Sequence, residues 1–273
     1  MYKLYKNEII SYKTEKGRRK NNEDSILETI HPRNDKYKLL AVADGVGGAP
    51  SGDLASTFVL EKLKNIFMMT PTIVLKSEYL SKIYLEKIIK HINNALIERN
   101  DKTYEKDNGP ATTLTCAIVL DKITLIASIG DSRAYATING KLKQITEDNS
   151  LVWQLYENGF INKDDIRFRK DNNIITKCLG RTYDNDVTIY TLNNDEYTNL
   201  LLVTDGVTDC LSDKKIEFIV KNTMNNDAAY NLVYEAVYIQ QDNIIPEGYD
   251  YEQTYCGKDN SSAVILTKKL TKK

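Results

Sequence analysis

Leu114-Thr-Cys-Ala-Ile-Val119, Thr124-Leu-Ile-Ala-Ser-Ile129, Arg133-Ala-Tyr-Ala-Thr-Ile138 and Leu142-Lys-Gln-Ile145 follow one another with only very short breaks. Each run is rich in β-branched and apolar residues, which is how a buried strand reads. Asn139-Gly140 between the last two is the residue pair of a type I′ hairpin turn. Parallel neighbours need a crossover of about a dozen residues or more, so links this short predict an antiparallel meander from Thr113 to Ile145. Lys38-Leu-Leu-Ala-Val-Ala43 reads as another buried strand, stopping at Asp44-Gly45. Leu200-Leu-Leu-Val203 and Ala263-Val-Ile-Leu266 add two more.

Helical patterns lie between these runs. Leu54, Phe58, Leu63 and Phe67 fall near a 3.6-residue period over residues 52–67. Leu80, Ile83, Ile88, Ile92 and Leu96 form a second, longer stripe, and two further helices are expected after Ser212 and after Asp227. Antiparallel strands with helices interposed indicate an α+β fold, and helices covering two packed sheets would fit. No internal repeat, Gly/Ser linker or composition break divides the chain, so one domain over residues 1–273 is expected.

Composition narrows the function. Apolar residues make up 41% and charged residues 27%, as in an ordinary globular domain that needs no disulfide or structural metal to hold it. The formal net charge of −1 gives no reason to expect a nucleic acid or an acidic membrane as partner. Cys116, Cys178, Cys210 and Cys256 are scattered with no C-x-x-C pair, so reduced buried thiols are expected and a zinc site is not. The stretch Met1–Glu8 is charged and carries no leader-like apolar core, and no window has the roughly 18 apolar residues of a membrane span. A cytoplasmic location is the expectation.

The placement of aspartates carries the chemistry. Asp44, Asp131, Asp205 and Asp259 each stand at the end of an apolar strand or in the turn beside one. Any single Asp-Gly can be a turn former and nothing more. Several carboxylates converging on one sheet edge are different, because desolvation and mutual repulsion oppose ionisation unless a cation is present. Oxygen ligands with no His or Cys among them point to Mg²⁺, Mn²⁺ or Ca²⁺. The two histidines, His31 and His91, lie away from these motifs.

Six motifs occur in order: Arg19-Lys-Asn-Asn-Glu-Asp24, Ala43-Asp-Gly-Val-Gly-Gly48, Ala111-Thr-Thr113, Ile129-Gly-Asp-Ser-Arg-Ala-Tyr135, Thr204-Asp-Gly-Val-Thr-Asp209 and Asp259-Asn-Ser-Ser262. Together, over about Gly17 to Thr267, they resemble the protein phosphatase 2C family of metal-dependent serine/threonine phosphatases, its bacterial-type branch in particular. The resemblance implies a four-layer α-β-β-α sandwich of two antiparallel sheets flanked by helices. It implies hydrolysis of phosphoserine and phosphothreonine by direct attack of a metal-bridging water, with two or three Mn²⁺ or Mg²⁺ ions as cofactors. Asp44 would bridge two ions, with the carbonyl of Gly45 a further ligand, and Asp205 and Asp259 would complete the first site. Asp24 would ligate an ion or hold its waters, with Glu23 supporting it. Asp131, Asp205 and Asp209 resemble a third site. Arg19 would bind the substrate phosphate through its planar guanidinium, and its offset from Asp24 selects it over Arg18. Expected partners are phosphorylated proteins, with a serine/threonine kinase acting in opposition; a monomer is expected, with no nucleic-acid or membrane partner.

Some positions depart from the family pattern. Val46 stands where some members carry a His able to protonate the leaving group, and Ala111 replaces a usual Gly. Residues 147–180 resemble the family's flap, with Asn149 where bacterial relatives often have His, and with Trp153 and Leu155 expected to pack. Residues 242–258, rich in Tyr and acidic side chains, read as a surface insertion. A catalytically inactive module of the same fold, or a phosphohydrolase acting on one regulatory protein, are the competing readings. The first should lack a metal aspartate or the phosphate-binding Arg, and this chain has both.

Overall fold

The computed structural model describes residues 2–5, 8–46, 51–169, 171–182, 186–223, 227–239 and 257–268. Gly47, Gly48, Cys256 and residues 242–256 of the expected insertion lie outside the described residues.

The strands are β1 (Tyr2–Tyr5), β2 (Glu8–Glu15), β3 (Ser25–His31), β4 (Asn34–Ala43), β5 (Leu114–Val119), β6 (Ile123–Ile129), β7 (Arg133–Ile138), β8 (Lys141–Gln144), β9 (Thr188–Asn193), β10 (Tyr197–Val203) and β11 (Ser261–Lys268). The helices are α1 (Gly52–Met69), α2 (Thr72–Leu75), α3 (Glu78–Asn100), α4 (Leu151–Glu157), α5 (Asp205–Thr208), α6 (Asp213–Asn222) and α7 (Ala228–Tyr238), with a 3-10 helix at Lys163–Phe168. A six-stranded sheet runs β1-β2-β11-β10-β7-β8 and a five-stranded sheet runs β3-β4-β5-β6-β9, every pairing antiparallel.

Apolar clusters define four layers. One face of the five-stranded sheet presents Leu39, Ala41, Cys116 and Leu125 to Val59, Leu63 and Phe67 of α1 and Leu85, Ile89 and Ile92 of α3. Its other face presents Leu40, Val42, Ala117 and Ile126 to Ala134, Leu200, Leu202 and Val264 of the six-stranded sheet. The outer face of that sheet, through Tyr135, Leu201, Val203 and Ile265, packs on Ile216 and Ile219 of α6 and Leu232 and Val233 of α7. The expected sandwich is thus observed. Strands covered on both faces need apolar side chains at successive positions, which is why these read as continuous runs without alternation.

One expectation is corrected. Residues 113–145 are not a single meander: β5 pairs with β6 in one sheet and β7 with β8 in the other. Gly130-Asp131-Ser132 crosses between the layers. Facing sheets lie about 10 Å apart, which four Cα steps can span, so a short link can change sheet as well as turn back. Gly130 makes the crossing at φ +103°, and a Cβ there would stand 2.6 Å from Thr113 Cβ. The hairpin at Asn139-Gly140 is as expected, with both residues at positive φ, 51° and 73°.

The helical stripes are also corrected in part. Leu54 and Leu80 are each 45% exposed, and α1 instead buries Gly52, Ala55 and Ser56 in its first turns. Large side chains dominate a hydropathy pattern, whereas this face must approach the backbone near Gly45 and so uses small ones.

The topology brings one end of many elements together. The ends of β4, β6 and β10 and the starts of β3, β5, β7 and β11 meet at one edge; Ser25 pairs with Ala43, Arg133 with Val203, and Leu114 with Ile129. The aspartates lie along that edge.

Candidate metal centre

Asp44 follows β4, and its backbone is fully committed. Its N–H donates to Thr113 Oγ1 at 3.0 Å, and its carbonyl accepts from Thr113 N and Thr112 Oγ1, both at 2.8 Å. The Ala-Thr-Thr motif therefore acts as a clamp on the Asp44 peptide. Gly45 donates its N–H to the carbonyl of Glu23 at 3.2 Å, and a Cβ on Gly45 would lie 2.5 Å from the backbone of Gly52. The Glu23 side chain rests against Gly52 and its carbonyl accepts from Ser56 Oγ at 2.6 Å, tying the start of α1 to the edge.

Asp24 is 7% exposed. Its Oδ2 accepts from Ser262 Oγ at 2.7 Å and Thr204 Oγ1 at 2.8 Å, while Oδ1 is buried without a hydrogen-bond partner. Burial pushes its carboxyl up to about 7, against those two hydrogen bonds and with the negative charge of Asp205 adding to the rise. Asp205 opens α5; burial and then the charge of Asp259 push it up to about 6, and its Oδ1 also lacks a partner. Asp131, at the crossing between sheets, is 5% exposed with Oδ1 unpartnered. Burial, then the charges of Asp205 and Asp148, hold it well above the usual carboxylate range. Asp44 is held high by burial and by Asp205, Asp24 and Asp131, and Asp209 by burial and by Asp205. These carboxylates feel one another strongly; they form one acidic cluster.

Asp259 and Asp209 are engaged from outside. Arg19 Nη2 donates to Asp259 Oδ2 at 2.6 Å, and Asn260 N to Asp259 Oδ1 at 2.8 Å. Asn172 Nδ2, from the segment resembling a flap, donates to Asp209 Oδ2 at 2.7 Å. Among the described residues, no three His, Cys, Asp or Glu side chains close into a ligand set by themselves.

The donor set fits a hard divalent cation. Three buried carboxylate oxygens with no partner, from Asp24, Asp131 and Asp205, would each cost about 1–3 kcal/mol or more if nothing satisfied them. Carboxylates contributed singly from separate strand ends suit Mg²⁺ or Mn²⁺, which keep several waters, better than a closed all-protein cage. Two of the thiols offer no nucleophile. Cys116 and Cys178 are buried free thiols pushed up to about 12 and about 11 by desolvation, so they stay protonated. His31 is buried and its Nε2 is 2.9 Å from the carbonyl of Thr70, beyond α1.

The profile of protein phosphatase 2C matches residues 15–234. The chain belongs to the protein phosphatase 2C family. The serine/threonine phosphatase stp of Listeria monocytogenes is 30% identical over 265 residues, 96% of each chain. The crystal structure of the serine/threonine phosphatase Stp1 from Staphylococcus aureus superposes with a TM-score of 0.80 at 29% identity, covering 94% of both chains. The catalytic domain of the serine/threonine protein phosphatase PstP in complex with two manganese ions superposes with a TM-score of 0.72. At 24% identity, over 96% of this chain and 98% of that one, this last likeness is one of fold.

Within this protein phosphatase 2C chain, several site residues were not singled out by the sequence. Thr204 and Ser262 hold Asp24, and Asn260 Oδ1 accepts from Glu23 N at 2.8 Å. All three lie inside motifs quoted above, one to three residues from an aspartate, and that adjacency was the available signal. Asn172 lies in no motif.

The segment 147–180 is fastened to the same edge. Asn149 Oδ1 accepts from Gly130 N at 3.0 Å and its own N–H donates to Gly130 O at 2.7 Å. Asp148 takes Arg133 through both Nε and Nη2, the closest contact being 2.6 Å, and Arg133 Nη1 donates to Tyr135 Oη. Trp153 is 7% exposed and packs with Val152 and Ile166, as expected; Leu155 is half-buried. Ala111 is fully buried and its carbonyl accepts from Val46 N at 2.9 Å, so the added methyl is accommodated.

Proposed function

We infer that this chain is a metal-dependent serine/threonine protein phosphatase. The observation that carries the reading is the group of partnerless buried oxygens on Asp24, Asp131 and Asp205 at one strand edge, where Arg19 is bonded to Asp259. Membership of the protein phosphatase 2C family and a relative named serine/threonine phosphatase, matched over 96% of both chains, support it.

Asp44 would bridge two ions with the Gly45 carbonyl as a further ligand, and Asp205 and Asp259 would complete the first site. Asp24 would ligate or hold waters, with its geometry set by Thr204 and Ser262 and with Glu23 as support. Asp131 and Asp209 would join Asp205 in a third site. Bound Mn²⁺ or Mg²⁺ supplies a water of lowered pKa and polarises the phosphoryl oxygens. Arg19 would receive the substrate phosphate. Its side chain is 54% exposed and already held over the cluster by Asp259, so an incoming phosphate would exchange one anionic partner for another. Val46 offers no proton to the leaving group, which leaves that role to water or substrate.

The reading extends to phosphoproteins as substrates, opposing a serine/threonine kinase, with a monomer in the cytoplasm as the working form. No helix among the described residues is long and apolar enough to cross a membrane. A single domain is supported by the inter-sheet core, which joins Ile10 near one end of the chain to Leu266 near the other. Residues 147–180 would act as its flap.

The test is hydrolysis of p-nitrophenyl phosphate and of a phosphothreonine peptide with Mn²⁺, with Mg²⁺ and with EDTA, beside an Asp205→Ala control. Turnover that needs the metal and the aspartate is expected. A folded protein that binds Mn²⁺ but turns over neither substrate would show an inactive module of this fold.

A further inference from the structure

Lys16, Arg18, Arg19 and Lys20 place four cations in five residues, all exposed, and Lys258 is exposed beside them. A run of this kind is ordinarily a solvated surface feature, but here the backbone is clamped to the metal edge. Arg18 N donates to Gly257 O at 2.9 Å, and Asn260 Nδ2 donates to the carbonyls of Lys16 and Asn21, both at 2.9 Å. Gly17 turns at φ +58°, and a Cβ there would stand 2.4 Å from the carbonyl oxygen of Asp259. Asn260 is 3% exposed and also accepts from Glu23 N, so one buried amide fixes the basic turn to the residues that carry Asp259 and Glu23.

We propose that this turn, with Lys258, forms a recognition surface for anionic residues flanking the phosphorylated residue of a substrate. The proposal rests on the phosphatase reading and names the substrate class it serves. Arg19 lies inside the turn, so a phosphate held by Arg19 brings neighbouring peptide positions over Lys16, Lys20 and Lys258. The backbone of the turn is already ordered, which lowers the cost of engaging a partner. Exposed charges are screened beyond about 8–10 Å at physiological salt, and an extended peptide advances about 3.3 Å per residue. The preference is therefore confined to about three positions on either side of the phosphate. Aspartate, glutamate and a second phosphorylated residue all offer the required anion.

The experiment compares kcat/KM on three phosphothreonine peptides, with neutral flanks, with acidic flanks and with a second phosphate, using p-nitrophenyl phosphate as the common reference. Wild type should favour the two anionic peptides by about three- to tenfold, mostly through KM, and lose the preference as salt is raised. Lys16→Gln/Lys20→Gln/Lys258→Gln should abolish the preference with p-nitrophenyl phosphate turnover unchanged. Lys20→Glu alone, with Lys16 and Lys258 still in place, should weaken it by about twofold or more, which keeps the test decisive if the triple variant folds poorly. Equal kcat/KM on all three peptides in wild type, or a preference undiminished by both substitutions, would overturn the proposal and leave the phosphatase reading standing. Absence of turnover on p-nitrophenyl phosphate and on all three peptides in wild type would sink both. Preference for one anionic peptide over the other would separate carboxylate recognition from recognition of a second phosphate.

Discussion

Arg19 Nη2 lies 2.6 Å from Asp259 Oδ2, so the side chain expected to receive phosphate is bonded to a side chain expected to hold a metal ion. The pair is partly exposed, 54% and 37% at the two side chains, and an ion pair so placed is worth about 0.2–1 kcal/mol. Arg19 would therefore compete with a cation at Asp259, but only weakly. Arg19→Met should move two readouts in opposite directions. The kcat/KM for a phosphopeptide should fall about 10- to 100-fold, as for a lost charged hydrogen bond of about 1.5–3 kcal/mol. Mn²⁺ affinity, measured by calorimetry, should rise by about two- to fivefold. A fall in turnover with no change in Mn²⁺ affinity would remove Asp259 from the ligand set.

The acidic cluster also predicts how stability depends on pH. Asp24 and Asp205 titrate at about 7 and about 6 in the folded chain, and Asp44, Asp131 and Asp209 are also raised. In the unfolded chain all five titrate near 4. Between about pH 4 and 7 the folded state binds more protons, so the cluster's contribution is fully present below the unfolded value and is lost as pH rises through the folded ones. In EDTA, then, the cluster should lower Tm from pH 5 toward pH 7.5. Mn²⁺ competes with those protons, so its stabilisation should grow over the same window, by on the order of 5 °C. Thermal melts in Mn²⁺ and in EDTA at four pH values would decide it. A metal-induced shift that is flat with pH would mean the raised carboxylates are not where the ion binds.

Gly45 offers a steric test of the same edge. A Cβ there would lie 2.5 Å from backbone carbon of Gly52, and no side-chain rotation can relieve a backbone contact. Gly45→Ala must push the start of α1 away from the Asp44 peptide, costing about 1–3 kcal/mol as other overpacked sites do. The larger effect should be functional, with Mn²⁺-induced stabilisation lost in melts that still show a cooperative transition. Full retention of that stabilisation would mean α1 does not set the position of Asp44.

How much of this was readable beforehand depended on what each residue's signal could be confused with. Leu39 through Ala43, and the runs in β5, β6, β10 and β11, are buried on both faces, and short continuous apolar runs closed by turn residues read as core strands. Aspartates closing those runs were therefore visible as a group. β3 and β9 carry half-exposed polar residues at the edges of their sheet, and mixed composition at an edge looks like loop. The layer change at Gly130 was hidden because a short link permits either a turn or a crossing. Thr204, Ser262 and Asn260 act through hydroxyls and an amide, groups common everywhere in a chain, and only the fold shows that they point at Asp24 and Glu23.

Asn172 is the contact that no pattern announced. Its Nδ2 lies 2.7 Å from Asp209 Oδ2 and ties the segment resembling a flap to the acidic cluster, thirty-seven positions along the chain. Nearby fastenings are weaker in kind: Leu151 N donates to Ile174 O at 2.9 Å and Thr176 N to Asn149 O at 2.8 Å, both between uncharged groups. A bond to an ionised carboxylate is roughly twice as strong as these, so in the Mn²⁺-loaded protein, where a cation would keep Asp209 ionised, Asn172→Ala should loosen the segment more than it lowers global stability. Amide exchange across 171–176 should quicken by about tenfold while Tm changes little. Turnover of p-nitrophenyl phosphate, which needs no long contact with the segment, should stay within about twofold, and KM for a phosphopeptide should rise by about two- to fivefold, as for the loss of an interaction of about 0.5–1 kcal/mol. Unchanged exchange in the variant would show that Asp209 does not anchor the segment, and an equal loss on both substrates would place Asn172 in the chemistry and not in substrate fit.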